Sequence, residues 1–121
     1  MRGLIFCVLV LLFSSQTFAD EWRDLEDEKH LRELFINHSD LTDPFSVQFR
    51  GVRILTDGKR FRKNTVIYCG QSNQKNQMGG YIGWAPFYAM EAPPDNPTVK
   101  VAIGDAAAII MVGVDAFCTN R

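Results

Sequence analysis

The segment Val52-Arg53-Ile54-Leu55-Thr56-Asp57-Gly58, followed shortly by Thr65-Val66-Ile67-Tyr68-Cys69, decides the fold class. Val52, Ile54 and Thr56 alternate with Arg53 and Leu55, the two-residue period of a strand with one buried face. Asp57-Gly58 is a tight-turn dipeptide. Lys59 to Lys63 is basic, and Thr65 to Tyr68 is a second strand that leads into Cys69. Two strands joined this way predict an antiparallel sheet.

Upstream, the period changes. Asp43-Pro44 is a helix-start signal, and Phe45, Val47 and Phe49 follow it. A short helix over Pro44 to Arg50 would stack Phe45 on Phe49 at i, i+4, with Gly51 as its stop. Before it, Asp20 to Asp43 reads as an acidic amphipathic helix. Trp22, Leu25, Leu31, Leu34 and Phe35 fall near one face at three- and four-residue steps. This segment carries a net charge of −6 from nine acids and three bases.

Downstream, Gln71 to Gly80 is polar and glycine-ended, and reads as a loop or irregular edge. Tyr81 to Met90 is an aromatic-rich strand in which Pro86 predicts an edge or a bulge. Glu91 to Pro97 is a surface turn with three prolines, and Thr98 to Ile103 alternates as a strand. From Asp105 to Cys118 the apolar run fits a strand plus a short helix or one continuous helix, which periodicity does not separate. The expected fold is α+β. An N-terminal amphipathic helix and a short second helix pack on an antiparallel sheet of three to five strands.

The first nineteen residues stand apart. Met1-Arg2-Gly3 is basic, Leu4 to Phe13 is apolar, and Ala19 precedes an acidic run. That is the layout of a secretory signal peptide cleaved after Ala19. The apolar run is well short of the roughly twenty residues that span a bilayer. The expected organisation is a signal peptide over 1–19 and one exported domain over 20–121, with no membrane anchor after cleavage. The mature chain then holds two cysteines, Cys69 and Cys118. An even count in an exported chain reads as one disulfide. It would close a loop of roughly fifty residues, for which chain entropy gives about 4 kcal/mol.

Between Cys69 and Phe87 the sequence runs Cys69-Gly70, Asn73, Lys75-Asn76, Gly79-Gly80-Tyr81, Gly83 and Phe87. Upstream stand Asp43-Pro44 and Phe49-Arg50. In order and spacing, residues 43–87 resemble a group of small exported bacterial proteins and lipoproteins of unassigned function. The resemblance implies a bacterial host and brings no activity with it. Read physically, Gly79, Gly80 and Gly83 permit positive φ or close backbone approach. Asn73 and Asn76 suit left-handed geometry and local bonds to the backbone. Lys75 is placed to lie over Tyr81 or Trp84 as a cation–π partner. The segment is therefore either a loop-to-strand connection or a recognition loop. In the second reading Asn73, Lys75, Asn76, Tyr81 and Trp84 are the binding residues.

Other classes find less support. The net charge of −1 over 121 residues excludes a strongly basic nucleic-acid binder by overall charge. Residues 50–75 do carry a net +6, set either against the acidic helix or against an outside anion. Paired cysteines leave no thiolate nucleophile. His30 and His38 lack hydrolase context, and the acids outside the N-terminal segment are scattered. No metal site, cofactor motif or catalytic set is expected. The sequence points to a periplasmic or secreted, non-catalytic protein. It would bind a protein or cell-wall component, as an inhibitor or immunity protein does, through the 70–87 loop. A structural or stress-related envelope protein is the alternative, and a small hydrolase a more distant one.

Overall fold

The computed structural model describes residues 22–56 and 61–119. The expected signal peptide and the Asp57-Gly58 turn lie outside the described residues. Five strands form one antiparallel meander in the order β1-β2-β3-β4-β5. They are β1 (Trp22–Asp24), β2 (Gln48–Leu55), β3 (Val66–Asn73), β4 (Ala85–Glu91) and β5 (Thr98–Val101). Helix α1 (Lys29–His38) follows β1, and helix α2 (Ala107–Cys118) follows β5. The architecture is α+β.

The two helices lie on opposite faces of the sheet. Leu31, Leu34 and Phe35 of α1 pack on Val52, Tyr68, Phe87, Ala89, Val99 and Val101. Phe35 meets Phe87 edge-on at 5.1 Å between ring centroids and Phe49 at 4.8 Å, the geometry favoured by ring quadrupoles. On the other face, Leu55, Ile67 and Cys69 pack with Tyr88, Met90, Phe117 and Cys118. Central strand β3 is thus covered on both sides. Its consecutive residues Ile67, Tyr68 and Cys69 are all buried, as expected of a doubly covered strand. Burial, and secondly the charge of Glu91, holds the Tyr68 phenol above its ordinary pKa.

The N-terminal segment differs from the expected single helix over Asp20 to Asp43. Trp22–Asp24 is an edge strand paired with Arg53–Leu55, and the helix is confined to Lys29–His38. The reason lies in a spacing of three. On a helix, Trp22 and Leu25 would share a face; on an extended chain they point to opposite faces. Trp22 joins the Leu55–Ile67–Cys69 cluster, while Leu25 joins the α1 cluster.

The expected helix over Pro44 to Arg50 is also corrected. Only Pro44–Ser46 forms a 3₁₀ turn, and β2 begins at Gln48. Phe45 is left 70% exposed, and Phe49 turns into the core instead of stacking on it. Pairing of Gln48–Arg50 with Gln71–Asn73 outweighs one turn of local helix. Consequently Gln71–Asn73 belongs to the central strand β3 rather than to a loop or irregular edge. Strand β4 starts at Ala85, so Tyr81–Trp84 is loop. It is an interior strand, and Pro86 is tolerated because it lies past the end of the β4–β5 register at Phe87↔Val101. Of the two alternatives for the C-terminus, the continuous helix is the one that forms.

Cys69 and Cys118 form a disulfide with Cα atoms 5.8 Å apart. It fixes the end of α2 to the middle of β3. Along α2, Gly113 abuts Tyr88, and a Cβ there would lie 2.7 Å from Tyr88 Cε1. Alanine for glycine inside a helix ordinarily gains about 1 kcal/mol. Here overpacking, typically about 1–3 kcal/mol, opposes it. Gly113→Ala should therefore lower stability in urea denaturation, whereas in a Tyr88→Leu background the same change should be neutral or stabilising. Stabilisation in both backgrounds would contradict the contact.

Candidate binding surface

The segment between β3 and β4 is a miniature hairpin closed by its own polar groups. Ile82 N–H donates to Gln74 C=O at 3.1 Å, and Asn76 N–H to Gly80 C=O at 2.9 Å. Lys75 and Tyr81 form the bridge between these two bonds. The Asn76 carboxamide oxygen accepts from Met78 N–H at 2.9 Å and from Gly80 N–H at 3.1 Å. The buried Asn73 accepts from Gly83 N–H at 3.0 Å, which clamps the two stems together. Gly79 and Gly83 take the positive φ values that these turns need.

The hairpin is also tied sideways. Tyr81 Oη donates to Ser46 C=O at 3.0 Å, and Ser46 Oγ donates to Asp43 Oδ2 at 2.5 Å. The Asp43-Pro44 turn and the Gly79-Gly80-Tyr81 stretch, far apart in sequence, therefore touch. Lys75 Nζ lies 5.3 Å from the Tyr81 ring centroid. Trp84 is occupied differently, with the Arg50 guanidinium 4.4 Å above its ring.

The five candidate residues thus take three kinds of position. The oxygens of Asn73 and Asn76 turn inward to hold the loop. Tyr81 ties it to the Pro44 turn while exposing part of its ring. Lys75 and Trp84 flank it, each in a cation–π contact. Sequence reasoning left out the residues that make the surface apolar: Phe45, Met78 and Ile82. All three are exposed, with Met78 at 94%. Their signal was present, since each is a large apolar side chain set among turn-forming or polar residues.

Electrostatically, the described bases of 50–75 are not neutralised by the N-terminal acids. Arg62 pairs with Asp95, and Glu28 pairs with Arg32 on its own helix at 3.1 Å. Among the described residues no ion pair reaches Arg50, Arg53 or Lys75. His30 binds Glu91 across α1 and β4 and lies 3.8 Å from Glu33. Among the described residues no cluster of three or more His, Cys, Asp or Glu could hold a metal ion. Comparison with protein families, curated proteins and solved structures returned no match. The functional reading therefore rests on geometry and chemistry.

A hydrogen bond to a buried or loop-closing group is worth about 1 kcal/mol net. Asn73→Ala and Asn76→Ala should each lower unfolding free energy by about 1–2 kcal/mol, because amide donors lose their acceptor. Lys75→Ala should lower it by no more than about 0.5–1 kcal/mol, the worth of an exposed cation–π contact. Equal, negligible effects at all three positions would show that the carboxamides do not hold the loop.

Proposed function

We propose that this protein is an exported, non-catalytic binding protein of a bacterial envelope, acting on a partner protein as an inhibitor or immunity protein does. The observation that carries the reading is a set of exposed large apolar side chains: Met78, Tyr81, Ile82 and Trp84 on an internally bonded loop, and Phe45 on the turn to which Tyr81 is tied. Aromatic side chains, Met and Arg are the types enriched in protein interfaces. A loop already fixed by its own bonds loses little conformational entropy on docking. A protein partner is favoured over a glycan because the set mixes Met, Ile and Phe with the rings, and Arg50 already occupies one face of Trp84. Export is supported by the basic–apolar–small pattern of residues 1–19 and by the disulfide.

Met78 and Ile82 are the residues to vary, because no side-chain bond of theirs supports the loop. The exported, oxidised protein and its Met78→Ser/Ile82→Ser variant would be immobilised against envelope extract. A protein retained by the first and lost by the second would be purified for calorimetric titration. The expected result is at least tenfold weaker affinity of the variant at an unchanged thermal midpoint. Equal retention of everything by both forms would overturn the loop as the docking surface. It would favour the structural, ligand-free reading.

A further inference from the structure

The second sheet face carries a feature that the apolar loop does not explain. Strand β2 has a bulge between Arg50 and Arg53. In a regular strand, residues three apart point to opposite faces. Here Arg50 is registered with Gln71 and Arg53 with Cys69. Gln71 and Cys69 are two apart on β3, so both arginines share the disulfide-bearing face. The bulge depends on two glycines. Gly51 has φ +59°, and a Cβ on Gly70 would lie 2.9 Å from Val52 Cα.

Both guanidinium groups are held by aromatic planes rather than by carboxylates. Arg50 stacks at 4.4 Å on Trp84, and its Nε–H donates to Gln71 Oε1 at 2.6 Å. Arg53 lies 5.3 Å from the Trp22 ring centroid. Stacking occupies the face of a guanidinium and leaves edge donors available. Asp24 stands opposite Arg53 in the strand register, yet no ion pair joins them among the described residues. Beside Arg53 a cavity of about 210 Å³ opens between the sheet and α2. Gly70, Gln71, Pro86, Val114 and Cys118 contribute to its lining. It offers apolar walls, a polar edge at Gln71 and the cationic donors of Arg53.

We propose that this cleft is an oxyanion-binding site, in which Arg53 in its wall and Arg50, bonded to Gln71 at its edge, take a carboxylate or phosphate group. Guanidinium groups suit such planar or multidentate acceptors. The inference goes beyond the protein-docking reading and borders its surface at the Arg50–Trp84 contact. It rests on Arg50, Arg53 and Gln71, which the docking variant Met78→Ser/Ile82→Ser leaves intact, and its probes are small anions.

The test is a ¹⁵N–¹H NMR titration of the oxidised full-length exported protein at constant ionic strength. One arm uses inorganic phosphate, the other tetraglutamate. Saturable shifts are expected at the Gly70 and Gln71 amides, the Arg50 and Arg53 Nε–H groups and the Trp84 indole. Arg50→Gln and Arg53→Gln should each weaken binding about tenfold, while Arg62→Gln, which loses only the pair with Asp95, should not. Saturation by phosphate alone assigns a phosphate-bearing ligand, and by tetraglutamate alone an acidic peptide. Linear, unsaturated shifts, shifts centred elsewhere, or equal loss in Arg62→Gln would overturn the site. Having both arginine variants keeps the test decisive if one misfolds, since amide dispersion reports folding in the same spectra.

Discussion

Gly70 lies so close beneath Val52 that a methyl group in place of its hydrogen would sit 2.9 Å from the Val52 backbone. Several features of the protein depend on that approach. It admits the bulge of β2, which adds one residue to that strand and resets its alternation. Beyond the bulge, Gln48 pairs with Asn73 and Phe49 faces the α1 core. Asn73 thereby stands at the base of the hairpin, where its carboxamide clamps Gly83. Arg50 is brought to Trp84 by the same shift. The core, the loop base and the cationic face thus share one steric condition.

The sheet's two faces are secured by different means. Helix α1 buries Leu31, Leu34 and Phe35 against a continuous apolar cluster, and burial of such side chains is worth roughly 1.5–3 kcal/mol each. Helix α2 has no fully buried residue. It is held by the partial burial of Phe117 against Tyr88, the close contact at Gly113 and the disulfide to Cys69. The entropy removed from the unfolded chain by that cross-link, about 4 kcal/mol, is comparable to the whole contribution of a small apolar cluster. Oxidation of Cys69 and Cys118 and the placement of α2 are therefore physically linked.

Much of this was legible from residue order. Alternation over Val52–Thr56, the run into Cys69 and the pair Cys69 and Cys118 specify an antiparallel sheet with a disulfide. What misled was spacing that two geometries share. Trp22 and Leu25 satisfy a helical step, yet they serve opposite faces of an extended chain. Phe45 and Phe49 satisfy i, i+4, yet Val47 and Phe49 also satisfy a strand, and sheet pairing decides between them. At the loop, Asn73, Lys75, Asn76, Tyr81 and Trp84 were identifiable by type, but their division of labour was not. Whether a carboxamide faces a ligand or its own backbone depends on the turn's closure. That Arg50 and Arg53 share a sheet face was hidden, because an odd spacing signals opposite faces unless the bulge is known.

The most direct measurement is hydrogen exchange on Gly70→Ala under conditions where the variant remains folded. If the approach of Gly70 to Val52 governs both the bulge and the loop base, protection should fall together at Arg50, Val52, Gln71 and Asn73 and at the Ile82 and Gly83 amides. Protection in α1 and along β4–β5 should persist. Unchanged exchange at the loop, or a loss confined to residues 51–52, would show that the hairpin stands without the bulge and would contradict the account.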